Sequence, residues 1–162
     1  MKRLLYIALS ALLMTACAEG EGEVFYTAHY PIVRLDAAIT LSAADAAFEE
    51  QIRTAVLADA PVKEGGSYQL DFDRFDGGLL FVRPTADESP IAGTFDKQPA
   101  AKEMTFSFGE QSYLVRSSSY TDETALLPMT LLTVDVTEQY RTLFESESIL
   151  EVLRLEYTSY PY

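Results

Sequence analysis

Alternation of apolar and polar residues is the feature of this sequence that most restricts its fold. In the segment 104–108 (MTFSF) every second residue is large and apolar, and Gly109 and Glu110 separate this segment from a second apolar run, SYLVR. A period of two indicates a strand with one buried face, and a two-residue loop with glycine first is typical of a type II′ turn. These residues therefore predict an antiparallel hairpin.

The same period recurs in other parts of the chain. Tyr68, Leu70 and Phe72 alternate with polar residues, and the turn signal FDGG separates them from a second strand, LLFV. Segments rich in aromatic and β-branched residues also favour strands, and Pro31 predicts a sheet edge or a break inside one of them. These additional strands are predicted at Val24–Leu35 and Met129–Val136.

A helix is predicted over about 43–58. We expect Ser42 to cap its N-terminus, with Asp45 three residues later as in a capping box, and Pro61 to follow its end. Apolar residues recur along this segment at helical spacing, so one face should pack on the sheet. This apolar stripe consists of Ala44, Phe48, Ile52, Ala55 and Val56.

The C-terminal part of the chain fits two descriptions. A short helix near 137–146 followed by a closing strand over 149–157 (ILEVLRLEY) is the preferred one. One long helix from Thr137 to Tyr157 is the alternative, because short apolar runs fit both periods. With the preferred version, the fold class is α+β: a mainly antiparallel β meander of about six or seven strands, one packed helix and a short second helix.

The middle of the chain carries a resemblance in the spacing of its strands and turns. The segments GGSYQLDF, GGLLFV, GTFD, MTFSFGEQSYLV and LLTVDVT, from Gly65 to Thr137, are similar to those of small lipocalin-like lipoproteins. This resemblance implies a sheet that curls around an apolar cavity, and a small lipocalin-like barrel or half-barrel is therefore the alternative fold. The chain has no tryptophan, so the lipocalin Gly-x-Trp signature is absent.

The N-terminus has the pattern of a secretory signal. Lys2 and Arg3 precede an uncharged run over 4–16 that is too short to span a hydrocarbon core. At its end, MTAC (Met14–Cys17) resembles the lipobox of bacterial lipoprotein precursors. The resemblance implies that the signal is cut before Cys17, whose sulfur receives a diacylglycerol and whose amine takes an acyl chain such as palmitate. Two or more acyl chains give stable membrane anchoring.

This interpretation divides the chain into three parts. Residues 1–16 are the signal peptide, 17–23 are the lipidated cysteine and a flexible acidic tether, and 24–162 form a single domain. Glutamates just after the anchor resemble the surface-export signals of some outer-membrane lipoproteins. We therefore expect an envelope protein anchored in the outer membrane, either exposed on the surface or facing the periplasm.

The charge restricts the partners of this domain. The whole chain has a net charge of −13, and loss of Lys2 and Arg3 with the signal leaves 10 basic and 25 acidic residues, a net charge of −15. This balance argues against nucleic acid as a partner. The expected partners are therefore the membrane, reached through the lipid on Cys17, and a protein or small molecule of unknown identity.

The sequence presents no catalytic constellation, cofactor motif or metal-ligand set. His29 is the only histidine, no nucleophile motif lies near it, and one histidine without a free cysteine cannot supply an ordinary zinc site. A calcium site is suggested by Asp71, Asp73 and Asp76, but their spacing departs from that of an EF-hand. Pro84–Lys102 is predicted to be an irregular connection, either a mobile or a binding loop.

These observations favour a non-catalytic binding or assembly module. The alternatives are a lipocalin-like carrier of a small apolar ligand and, less well supported, an envelope hydrolase with a carboxylate pair that sequence spacing cannot identify. A carrier should have an aromatic-lined cavity, whereas a solid core is expected if the first helix covers the sheet.

Overall fold

The computed structural model describes residues 26–74, 76–98, 102–122, 127–144 and 149–160. Within these ranges the chain forms eight strands and two helices. The strands are β1 (Tyr26–Leu41), β2 (Ser67–Arg74), β3 (Gly77–Arg83), β4 (Ile91–Gln98), β5 (Glu103–Phe108), β6 (Gln111–Asp122), β7 (Leu127–Asp135) and β8 (Leu150–Ser159). The helices are α1 (Ala46–Asp59) and α2 (Thr137–Leu143).

Each strand pairs antiparallel with the next, and β8 pairs with β1, so the sheet closes into a barrel. The predicted mainly antiparallel sheet with two helices is therefore confirmed, and the meander is matched in part because its sheet closes on itself. Strand β8 confirms a short helix followed by a strand rather than one long helix. The prediction of six or seven strands was too low among the described residues, and the closed barrel agrees with the alternative fold.

The additional strand, β4, lies inside the segment that was predicted to be irregular. Gly93 and Phe95 are two residues apart and so share one face of the strand. Because one of these two positions carries glycine, the alternation of large apolar and polar residues is difficult to recognise in the sequence. Gly93 allows a close approach to β5, since a Cβ built there would lie 2.2 Å from the Ser107 carbonyl oxygen. Only 84–90 forms a connection before this strand, and the prediction of a longer irregular segment was wrong.

Strand β1 is longer than predicted and continues through Pro31. Residues 26–31 pair with β2, whereas the part from Ile32 onward pairs with β8. A register shift between Ile32 and Arg34 follows the proline. Pro31 thus marks a change of pairing partner, which is a position where the absence of a backbone N–H can be accommodated.

Helix α1 begins later than predicted because a different residue caps it. Asp45, not Ser42, is the N-cap residue, and its carboxylate accepts a hydrogen bond of 3.0 Å from the backbone N–H of Phe48. Ile52 and Val56 of the predicted stripe are buried, but Ala44 lies before the helix and is exposed. No helix in the described part of the chain is long and apolar enough to cross a membrane.

Aromatic rings fill the interior of the barrel. The ring centroid of Tyr68 lies 5.3 Å from that of Phe106 and 5.5 Å from that of Tyr157, while Phe72 and Phe95 lie 4.6 Å apart. All five side chains are buried. An eight-stranded barrel is just wide enough for side chains to fill it, and these ring contacts agree with the expected solid core.

Candidate binding site at the helical end of the barrel

One end of the barrel, here called the helical end, brings together the C-terminus of α1, helix α2 and the β5–β6 hairpin. Two adjoining depressions of about 430 Å³ and about 210 Å³ open there. Both are lined by Gln111, Tyr113, Val136 and Gln139, so we treat them as one site, the tyrosine pocket. The remaining lining residues are Ser112, Asp135 and Glu138 in the larger depression and Val56, Asp59, Ala60, Pro61, Tyr140 and Leu155 in the smaller one.

The hairpin turn places Gln111 and Tyr113 at this end. Gly109 has a φ of 58° and Glu110 a negative φ, as a type II′ turn requires, so the predicted turn is confirmed. Tyr113 pairs with Phe106 across the hairpin, and its ring stacks on Phe108 with a centroid distance of 5.1 Å. Its hydroxyl donates to Oε1 of Gln111. One side of the site is thereby fixed by a tight turn.

Tyr140 connects the two helices at the opposite side of the pocket. Its hydroxyl donates a hydrogen bond of 3.1 Å to Oδ2 of Asp59, the last residue of α1. Burial and the neighbouring Asp59 carboxylate both raise the pKa of Tyr140 well above its ordinary value. Tyr140 therefore remains a protonated hydrogen-bond donor at neutral pH, and it orients the Asp59 carboxylate.

The start of α2 is set by a carboxylate that also lines the site. The backbone N–H and the hydroxyl of Thr137 donate to Oδ1 of Asp135 at 3.1 Å and 2.6 Å. The Thr137 hydroxyl oxygen also accepts a hydrogen bond of 2.9 Å from the backbone N–H of Leu153 in β8. These contacts fix α2 against the barrel and hold Gln139 and Tyr140 in position.

Buried tyrosine hydroxyls lie beneath the pocket. Burial is the main cause that raises the pKa of Tyr68 and of Tyr157, and the proximity of Tyr113 raises both further. The Tyr68 hydroxyl and the backbone of Val62 approach the Tyr157 hydroxyl, but no group reaches hydrogen-bond geometry with it among the described residues. These two hydroxyls are thus neutral O–H donors, and neither tyrosine is itself a lining residue of the pocket.

A separate groove of about 380 Å³ on the outer wall contains His29. His29 of β1 pairs with Gln69 of β2, which pairs with Phe81 of β3. These three residues line the groove together with Ser67 and Arg83. The connection 84–90 borders it through Ala86 and Pro90. No described hydrogen bond joins His29 to a carboxylate or a hydroxyl. The groove therefore lacks the nucleophile–base contact that acyl transfer requires.

The aspartates considered for calcium are not gathered into a site. Asp71 accepts hydrogen bonds of 2.9 Å from Thr27 and from Gln69 on the outer face, and Asp73 is exposed at the end of β2. Over the ranges that the structure describes, no group of three His, Cys, Asp or Glu residues could hold a metal ion. Cys17, the predicted lipidation site, lies outside the described residues.

The residues of the tyrosine pocket were not identified as site residues from the sequence. Tyr113 and Tyr140 appear there only as members of strand and helix patterns, and Gln111 and Gln139 belong to no recognised motif. Their one sequence signal is indirect: polar residues beside the ends of predicted elements. Comparisons with known proteins give no further assignment, because neither a protein-family model, nor a curated protein, nor a solved structure matches this chain.

Proposed function

We propose that this chain is a lipid-anchored protein of the bacterial cell envelope that binds a small polar group, free or on a protein, at the helical end of its barrel. The observation that carries the binding role is the combination of an interior filled by contacting rings with an open, polar pocket at one end. The anchoring role rests on the sequence MTAC and the signal that precedes it.

The distribution of side chains favours binding over transport of an apolar ligand. A carrier encloses its ligand in a hollow interior, but Tyr68, Phe106 and Tyr157 meet there at ring-contact distances. The tyrosine pocket instead offers hydroxyl and amide groups around an apolar floor. Such a mixture orients a polar ligand group by hydrogen bonds while apolar surface contributes affinity.

Catalysis is not part of the proposal. The tyrosine hydroxyls at this end have raised pKa values, so they are poor bases at neutral pH. The pocket lining contains no histidine, lysine or cysteine in the part of the chain described. Its groups can therefore position a ligand, but they do not form an activated nucleophile.

The anchor is tested by Cys17→Ala. We expect the variant to remain folded but to be absent from the membrane fraction, because one sulfur carries the diacylglycerol in the lipobox interpretation. Membrane fractionation with mass spectrometry of the mature protein checks this. An unmodified Cys17 in the mature wild-type protein would disprove lipid anchoring.

The binding role is tested by filling the pocket. Gln139 is exposed on α2 and lines both depressions, so Gln139→Trp should occlude the site without disturbing the core. Ligand-observed NMR with a library of small polar molecules identifies binders of the wild-type chain. Leu79→Trp, on the outer face of β3, is the control. Binders unaffected by Gln139→Trp would place the site elsewhere.

A further inference from the structure

We infer that the tyrosine pocket binds an organic cation, an alkylammonium or guanidinium group, with Asp59 as its counter-ion, Tyr113 as an aromatic wall and Tyr140 as the residue that positions Asp59. This inference rests on the proposed function and names the ligand chemistry of the same site. The juxtaposition that carries it is an exposed carboxylate, two tyrosines and an apolar floor within one pocket.

The charges of the lining have one sign. Among the described residues that line the two depressions, Asp59, Asp135 and Glu138 are acidic and none is basic. A site with this lining repels a phosphate or carboxylate group and favours a cation. The net charge of −15 from Cys17 onward acts in the same direction, because it raises the local concentration of cations.

Asp59 is the carboxylate of this lining that has no cationic side chain within ion-pair distance among the described residues, and the Lys63 ammonium attracts it from farther away. Glu138 is paired with Arg141, and Asp135 lies 3.5 Å from the Arg154 guanidinium and accepts from Thr137. Asp59 accepts a single hydrogen bond within the described structure, from Tyr140 to Oδ2. Oδ1 can therefore accept from a ligand while Tyr140 holds the carboxylate in place.

The end of α1 already attracts an ammonium group from the chain itself. Nζ of Lys63 donates to the backbone carbonyls of Leu57 and Ala58 at 2.6 Å and 2.5 Å. The C-terminus of a helix carries partial negative charge and favours cations within its last turn. Lys63 lines neither depression but is also attracted by Asp59, so a ligand cation in the pocket would share the negative charge of this helix end with it.

The walls and floor of the pocket fit the rest of such a ligand. The face of a tyrosine ring attracts a cation within about 6 Å of its centroid, and the half-buried Tyr113 lines both depressions. The Tyr140 ring is buried, so this residue contributes through its hydroxyl, which holds Asp59. The Gln139 amide can accept from a second N–H of the ligand. The apolar floor, which would contact the methylene groups of an alkyl stem, consists of Val56, Ala60, Val136 and Leu155.

Two sources can supply this chemistry: a free alkylamine, or a lysine or arginine side chain presented by a protein. Calorimetric titration of the full chain in nonionic detergent micelles separates them. The probes are 1,5-diaminopentane with the neutral 1,5-pentanediol as its control, and the blocked peptide Gly-Lys-Gly with Gly-norleucine-Gly as its control. We expect one or both cations to bind, their neutral partners to bind at least tenfold more weakly, and affinity to fall with added salt.

Substitution of Asp59 decides whether the carboxylate is responsible. Asp59→Asn keeps an acceptor for Tyr140 but removes the charge, and we expect it to weaken cation binding at least tenfold. Glu50→Gln, on the exposed face of the same helix, makes the same change in net charge and should leave binding unchanged.

The inference would be overturned by absence of cation binding, by equal binding of the diamine and the diol, by an unchanged affinity in Asp59→Asn, or by an equal loss in Glu50→Gln. Each of them leaves the proposed function to the separate occlusion test. If neutral or anionic molecules bind the wild-type chain and Gln139→Trp abolishes that binding, the proposed binding site is retained and only its ligand changes. Cation binding that persists in Gln139→Trp but is lost in Asp59→Asn would place the cation outside the shared pocket and also overturn the inference.

Discussion

Truncation of one interior ring tests whether the barrel has a solid core. Phe106 is 1% exposed, contacts the ring of Tyr68 and pairs with Phe95 and Tyr113 on the two neighbouring strands. Phe106→Ala removes this ring from a site whose walls are held by strand pairing, so little collapse is possible. We therefore expect a loss of about 3–5 kcal/mol in the free energy of unfolding.

A loss of this size is measurable without abolishing the fold. Domains are stable by roughly 5–15 kcal/mol, and for a chain of this size the melting temperature should fall by about 6–20 °C. Urea unfolding of the chain from Glu23 onward, followed by circular dichroism, gives the difference. The control is Leu79→Ala, an outward-facing leucine on β3 that is 46% exposed, which should cost less than about 0.5 kcal/mol.

The result that would refute this reasoning is equally specific. A loss of less than about 1 kcal/mol for Phe106→Ala would mean that the ring borders empty space rather than packed neighbours. Native mass spectrometry provides the second measurement. A stoichiometric apolar molecule that accompanies the wild-type protein and is lost from Phe106→Ala would make an apolar-ligand carrier the better description.

Three further predictions follow from local geometry. Asp45→Ala should cost about 1 kcal/mol because α1 loses its cap, whereas Asp45→Asn should cost little; equal losses in urea unfolding would contradict this cap. Gly93→Ala should cost about 3 kcal/mol, since its Cβ would lie 2.2 Å from a β5 carbonyl oxygen. Gly109→Ala should cost only about 1 kcal/mol, since its positive φ disfavours alanine but its Cβ would meet nothing within 4 Å. Thermal melts that rank the two variants in the reverse order would count against the strand register. Burial alone would raise the pKa of Asp135, but hydrogen bonds from Thr137 and a nearby guanidinium lower it overall below 3.8. The stabilising contribution of Asp135 is therefore complete above pH 3.8 and is lost as the pH falls through its lower pKa in the folded state. The difference in unfolding free energy between the wild type and Asp135→Asn should shrink below about pH 4. A constant difference down to about pH 2 would refute this.

The sequence predicts the strands best where inward positions carry large apolar residues. The hairpin around Gly109 and the strands containing Phe72 and Val134 were recognised because alternation of large and polar side chains is visible within each of them. Strand β4 was missed because Gly93 replaces a large inward residue. Its presence is imposed by pairing with β3 and β5, which a local pattern does not contain.

The helix boundaries show how neighbouring residues compete for one role. Ser42 and Asp45 are both suitable N-cap residues, and only the contact between Asp45 and the Phe48 N–H distinguishes them. Residues up to Leu41 remain in β1, where they pair with β8. Strand pairing thus extends up to Leu41, just before Ser42, and the helix starts at Ala46, immediately after Asp45.

Closure of the sheet could not be read from the strands themselves. An open meander and a barrel have the same alternation, because both leave one face buried. The difference lies in pairing between β1 and β8, whose partners, such as Ile39 and Leu153, are more than a hundred positions apart. Contacts of that separation depend on the whole topology, so the sequence left both versions open.

The tyrosine pocket depends on closure for the same reason. Its walls come from the end of α1 near residue 59, the β5–β6 hairpin near 111 and α2 near 139, and no two of these segments are adjacent in sequence. Polar contacts hold helix α1 in place: Arg53 contacts the Asp36 carboxylate and the Ala37 carbonyl of β1 at 2.9 Å and 2.8 Å, and at the C-terminal end Tyr140 of α2 donates to Asp59. Since β1 and β8 must pair before α2 and α1 face each other, the site can form only in the closed barrel. Asp59, unremarkable as a helix-terminal aspartate in the sequence, becomes a candidate counter-ion only through that arrangement.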